Sequence, residues 1–247
     1  MKETANNIKE LLKKTYPYRI EMHAHSHPIS YCGEASPKQV VEIYRELGYH
    51  GLVLSNHFAY GGGLLGEEGT KEELLDRYIG AYEEAKTEAE KYGMQVYLVA
   101  ELRFAENIND YLLYGADREI LSEAYDLLSG TLAEYRQKAN LSKSLLIQAH
   151  PFRKGMERMD ASLLDGAETF NMHPGHNAAI GLSVKYAKEN GLTITTAGSD
   201  FHHLNVKHEG VSALRTRTLP KDSFELAKLL KQGDYLFEIG GEAIVLP

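Results

Sequence analysis

Short apolar runs and longer amphipathic stretches take turns along the whole chain. Seven runs have strand length: 18–25 (YRIEMHAH), 51–57 (GLVLSNH), 94–101 (MQVYLVAE), 110–115 (DYLLYG), 143–151 (KSLLIQAHP), 166–171 (GAETFN) and 192–200 (LTITTAGSD). Helical spacing fills the intervals. Ile8, Leu11 and Leu12 mark a short first helix. Ser36 as N-cap, Pro37 at the first helical position and Gly48 past the end bracket a second. A capping box, Thr70 with Glu73, opens a third that closes on Gly93. Further helices are predicted within 118–140, 177–191 and 222–231, and a last strand at 242–247.

Strands alternating with helices imply βαβ units with parallel pairing, and seven of them suit a closed or distorted barrel. No linker, repeat or low-complexity tract interrupts the chain, so 1–247 reads as one α/β domain. The glycine-rich segment 60–69 (YGGGLLGEEG) reads either as a mobile loop over a site or as a plain connection.

Composition narrows the function classes. A hydrophobic share of 43% with 25% charged residues is that of a soluble globular protein. Twenty-seven basic against 35 acidic residues give a net charge of −8, so no nucleic acid or anionic membrane is expected as partner. A small phosphorylated substrate stays compatible, because bound cations reverse the local sign. Cys32 is the only cysteine, which points to a reducing compartment. The N-terminal stretch is charged throughout, unlike a signal peptide, and no apolar run approaches membrane-spanning length; a cytoplasmic location is the expectation.

The pattern HAH at His23 and His25 reads, alone, either as two metal ligands or as a polar strand end. The other strands tip the balance. Asn56 and His57 end the second predicted strand, Glu101 the third, His150 the fifth, and Asp200 with His202 the seventh; Glu168 and Asn171 sit on the sixth. Ends of parallel barrel strands meet on one face, where active sites are built. Imidazoles and carboxylates without thiolates suit catalytic Zn, Mn or Fe rather than a structural zinc knot. A carboxylate such as Glu101 can bridge two ions.

The ordered set HAH (His23, His25), SNHF (His57), VAELRF (Glu101), QAHPFR (His150) and GSDFHH (Asp200, His202) resembles the polymerase-and-histidinol-phosphatase (PHP) superfamily. The resemblance implies a distorted (β/α)7 TIM-like barrel and a metal-dependent phosphoesterase. It implies hydrolysis of a small phosphorylated metabolite by metal-activated hydroxide at a site of two or three divalent ions. His23, His25, Glu101 and Asp200 would hold the first ion, Glu101 and His150 the second, and His57 with His202 a third. Asp200 and His202 are the expected catalytic pair, His202 or a water protonating the leaving oxygen. Two departures stand out. Asp117 occupies the place of an expected second-site histidine, and Glu34 that of an early-loop histidine; His27 and Cys32 are alternative donors there.

Arg103 and Arg153 follow ligand positions closely and read either as phosphate contacts or as ion pairs. Of His173 and His176, His173 is the candidate substrate contact. Glu168 and Asn171 are expected to support ligands rather than coordinate. His50 and His208 read as surface residues, and the tyrosines as packing on helix faces. Two other readings remain open: a catalytically silent metal-binding module, favoured by the two departures, and an amidohydrolase, disfavoured because DYLLYGAD offers no lysine.

Overall fold

Local chemistry sets the helix ends where expected. A computed structural model describes residues 2–59, 68–205 and 210–247. In it Ser36 and Gln39 form a capping box on α2 (Pro37–Glu46), and Thr70 and Glu73 another on α3 (Lys71–Glu90). Gly48 turns the chain after α2 in the left-handed region, φ 77°, which glycine adopts without steric cost. The first helix is α1 (Lys2–Thr15). The predicted stretch 118–140 divides into α4 (Arg118–Leu127) and α5 (Leu132–Lys138), and α6 (Ile180–Glu189) and α7 (Ser223–Gln232) follow. Most of segment 60–69 lies outside the described residues, as does His208. No described helix is long and apolar enough to cross a membrane.

The described strands form two six-stranded sheets. One contains β1 (Tyr18–Ala24), β2 (Gly51–Leu54), β4 (Gln95–Leu98), β10 (Ser212–Thr216), β11 (Tyr235–Ile239) and β12 (Ala243–Val245), in the order β12-β11-β10-β1-β2-β4. The other contains β3 (His57–Ala59), β5 (Ala100–Arg103), β6 (Tyr111–Tyr114), β7 (Leu145–Gln148), β8 (Gly166–Asn171) and β9 (Ile194–Gly198), in the order β3-β5-β6-β7-β8-β9. Only Ser55 and Asn56 separate β2 from β3, and only Val99 separates β4 from β5, so two predicted strands each pass from one sheet into the other. A parallel bridge between Ala24 and Phe201 joins β1 to the chain after β9.

Uniform parallel pairing is not what forms. β6 runs antiparallel to both β5 and β7, and β10 runs antiparallel to β1. The reason for β6 lies in its connection: residues 104–110 contain no helix, and a link that short cannot carry the chain back for parallel pairing. The chain is thus mixed α/β.

Ile20, Met22, Val53, Leu112 and Ile147 meet in one interior cluster, closed from below by Leu226 of α7. Each such fully buried aliphatic side chain contributes about 1.5–3 kcal/mol. Helices α3, α4 and α5 cover the second sheet from outside, and α2 covers β1 and β2. Buried tyrosines serve strands as well as helices. Tyr78 of α3 donates to the carbonyl of Asn56 (2.6 Å), and Tyr114 of β6 to that of Met22 (2.8 Å). These bonds tie outer layer and interior to the strand ends where the candidate ligands sit.

Candidate metal centre

β1 and the residue that follows it carry the first two candidate ligands, His23 and His25, and a fault in the strand's alternation aims them. Ile20 and Met22 point into the interior cluster, so strict period two would send His23 outward. Instead the β1–β2 register shifts between Glu21 and Ala24, and Ala24 packs on the outer cluster. Such bulges re-aim side chains beside functional sites. Glu21, fully buried, holds this one: its Oε1 accepts the N–H groups of Met22 (3.0 Å), His23 (2.9 Å) and Ser199 (2.8 Å). The Ser199 hydroxyl donates to its other oxygen. One carboxylate therefore fixes the strand bearing His23 and His25 to the turn bearing Asp200.

Four donors then converge. His23 Nε2 lies 3.1 Å from His25 Nε2, 3.2 Å from Glu101 Oε1 and 3.4 Å from Asp200 Oδ1. His25 Nε2 lies 3.4 Å from Glu101 Oε2 and 3.2 Å from Asp200 Oδ1. Four ligands placed tetrahedrally at zinc-like bond lengths stand about 3.3–3.4 Å apart. His23, His25 and Asp200 Oδ1 stand at that spacing, and Glu101 joins them through Oε1 on the His23 side and Oε2 on the His25 side, a donor set that fits a divalent ion. Glu168 Oε1 meets His23 Nδ1 at 2.9 Å, and Ser30 Oγ meets His25 Nδ1 at 3.0 Å. The carboxylate calls for the proton on Nδ1 of His23, leaving Nε2 a lone pair for the cluster. Glu168 and Asn171 stand behind the cluster: Glu168 Oε2 accepts the His150 N–H (3.0 Å) and an amide hydrogen of Asn171 (2.9 Å).

Glu101 faces imidazoles on both sides. Its Oε1 is also 3.1 Å from His150 Nε2, and its Oε2 is 2.7 Å from His57 Nδ1. Donor atoms of His57, Glu101 and Asp110 lie within 4.8 Å of one another, as do those of His25, His57 and His202. His202 donates Nδ1–H to the Asp200 carbonyl (2.7 Å), which leaves Nε2 as the free nitrogen. Two candidate ligands carry backbone strain: φ is 31° at His150 and 50° at Asp200. The left-handed region costs roughly 1–2 kcal/mol for a residue with a Cβ, and such strain concentrates at functional sites.

Charge follows the geometry. Burial pushes the Glu101 carboxyl up, but His23, His57 and His150 outweigh it and hold the group well below its ordinary range. Asp200 is held down in the same way, against burial, by His23, His25 and Arg153. For His23, burial is outweighed by Asp200, Glu168 and Glu101, and the imidazole is held well above its ordinary value. Burial, with His202 and His57 alongside, holds His25 well below. Glu101, Asp110, Glu168 and Asp200 are four buried carboxylates, and Arg103 and Arg153 neutralise two of them, Asp110 and Asp200. The imidazolium character of His23 balances part of the remainder, a task that bound cations would take over.

The remaining expected residues divide. Arg153 donates to the Asp200 carboxylate and to Asn171 Oδ1 (3.1 Å), and its buried Nε has no partner among the described residues. Arg103 grips Asp110 with two bonds of 2.7 Å. His173 accepts the Gly175 N–H at Nδ1 (2.9 Å), its ring 5.1 Å from that of His202; burial pushes it down to about 4. Cys32 is exposed, and the nearby imidazoles of His202 and His57 outweigh burial and bring its thiol down to about 6.

Asp117 does not reach the cluster. It caps α4, accepting the Ile120 N–H (2.9 Å), at the far end of β6. Glu34 is exposed and pairs with His203 (3.2 Å), and His27 is exposed as well. The residue missed in the sequence is Asp110. Because β6 is reversed, its first end, not its last, lies beside Glu101 and His150, and the signal was the helix-free link before it.

No family model matches the chain, and no curated protein matches it in sequence. Solved structures do match in fold. A Bifidobacterium adolescentis protein, provisionally named a metal-dependent phosphoesterase, shares 17% identity over 86% of this chain and 96% of its own, at a TM-score of 0.51. A two-domain protein from Bacteroides vulgatus, containing a predicted PHP-like metal-dependent phosphoesterase, shares 13% identity over 90% of this chain at a TM-score of 0.62. The chain spans 64% of that protein's length. An amidohydrolase from Chromobacterium violaceum overlaps at a TM-score of 0.47 (15% identity, 75% of this chain and 88% of its own), too little to bear on function. The fold is that of PHP-like phosphoesterase structures.

Proposed function

We propose that this fold carries a metal-dependent phosphoesterase of the PHP type, acting on a small phosphorylated metabolite. One observation carries the reading: three buried donors, His23, His25 and Asp200, at 3.1–3.4 Å from one another, beside Glu101, whose two oxygens also meet His150 and His57. His23, His25, Glu101 and Asp200 would hold one ion; Glu101 and His150 contribute to a second, and His57 with His202 to the opening beyond. Ions of the Zn, Mn or Fe type held there supply an acidified water and neutralise charge on the phosphoryl group.

The chain's own groups do the rest. Arg153, with a free buried Nε, and Arg103, at the edge of the cluster, offer donors to phosphate oxygens. His202 keeps its Nδ1 proton on the Asp200 carbonyl and holds a proton at Nε2 for the leaving oxygen. His173, held neutral and close to His202, lines the approach for the non-phosphate part of the substrate. The acidic net charge argues for a small substrate over a nucleic acid. A silent metal-binding module draws its support from Glu34 and Asp117, but Asp117 is a helix cap and the Glu34 carboxylate is taken up by His203.

The test is turnover of p-nitrophenyl phosphate by protein loaded with Mn²⁺ or Zn²⁺, beside His150→Ala. Activity that disappears in the variant while metal stays bound supports the reading. Undiminished activity in His150→Ala, or a metal-replete chain inert toward a broad panel of phosphate esters, sinks it.

A further inference from the structure

The residue between β5 and β7 that no pattern of strand C-termini reveals is Asp110. Its carbonyl accepts the N–H of Ala149 (2.9 Å), which latches it beside His150, and its carboxylate is 2% exposed. Its Oδ2 lies 3.9 Å from His150 Nε2, and it shares a 4.8 Å neighbourhood with donors of His57 and Glu101. Two buried carboxylates, Glu101 and Asp110, thus stand side by side. Arg103 neutralises one of them from the outside, through bonds to each oxygen. A carboxylate has about four lone-pair sites, so the fork of Arg103 leaves both oxygens able to bind inward. An ion pair alone needs no burial, and desolvating a carboxylate beside another is costly unless a cation lies between them.

We infer that Asp110 is a metal ligand, completing a second site with Glu101, His150 and His57. It supplies from a reversed strand the donor that Asp117 does not. Oxygen and imidazole donors in this mixture suit Mn²⁺, Zn²⁺ or Fe²⁺. The inference rests on the proposed metal-dependent reading, and it predicts a site whose loss spares the first quartet.

The experiment counts ions rather than turnover. Wild-type chain and Asp110→Asn are dialysed against Mn²⁺ at fixed free concentration, analysed for metal per chain, and examined by electron paramagnetic resonance for a spin-coupled Mn²⁺ pair. Wild type is expected to hold at least two ions with coupling through Glu101. Asp110→Asn is expected to hold one ion fewer, with coupling gone and affinity for the missing ion lowered by more than about 100-fold, beyond what a supporting hydrogen-bond partner costs. An unchanged count with affinity within about twofold overturns the inference while leaving the first site standing. A wild-type chain that takes up no Mn²⁺ or Zn²⁺ overturns both the inference and the reading beneath it. If Asp110→Asn loses every ion, Asp110→Glu decides, since it keeps the charge and the Arg103 pair. A weakened second ion with the first intact then supports ligation, and two unchanged ions refute it.

Discussion

The two halves of the cluster are built to different tolerances. Around His23 the donors stand 3.1–3.4 Å apart, every side chain at most 1% exposed, with Glu168 and Ser30 fixing the rings from behind. Around His150 the spacings run from 2.7 to 3.9 Å, the His57 side chain is 21% exposed, and Asp110 is shared with Arg103. The first half comes from a bulged strand pinned by Glu21; the second comes from a reversed strand and a residue at the mouth. Preorganised donors lose little freedom on binding, whereas adjustable ones must be ordered first. The comparison teaches that the first half is built as part of the fold and the second as part of its working surface, so an ion held by the second would exchange more readily than one held by the first.

The largest break in that contrast is Glu101→Gln, because Glu101 serves both halves. It should abolish binding at both positions and lower phosphatase activity by more than about 100-fold, the upper cost of losing a mere support; elemental analysis beside an activity assay checks it. Glu168→Gln should act on the tight half alone. With the His23 ring no longer held by a carboxylate, affinity for the first ion should fall roughly 10–100-fold while the fold survives. Competition with a chelator of known affinity measures this. Asp117→Ala sharpens the contrast from outside. It should leave metal content unchanged and cost only the helix cap, about 0.5–2 kcal/mol of unfolding free energy in a denaturant titration.

What the sequence made legible follows from how local each signal is. Capping chemistry acts within one helical turn, so the starts of α2 and α3 could be read directly. His23, His25, His57, Glu101, His150, Asp200 and His202 were readable because the strand ends that carry them converge, and the structure brings all seven together. β10 and β11 escaped because Arg215 and Glu238 sit inside them as a buried pair; a charge satisfied across two strands interrupts the hydrophobic pattern that reveals a strand. Asp110 escaped because strand direction is a property of the connection, not of the strand. Glu21 escaped because its task is to hold backbone, and nothing in YRIEMHAH announces a bulge.

The tyrosine bonds have an optical consequence. The sequence has 16 tyrosines and no tryptophan, so all of its intrinsic fluorescence comes from phenol rings. Tyr78, bonded to the carbonyl before His57, Tyr111, next to Asp110, and Tyr114, bonded to the carbonyl before His23, stand around the cluster. A paramagnetic ion such as Co²⁺ entering there is expected to quench their emission, and diamagnetic Zn²⁺ is not. The chain thus carries its own lamp beside the candidate metal centre, and occupancy there would be followed in real time without a label.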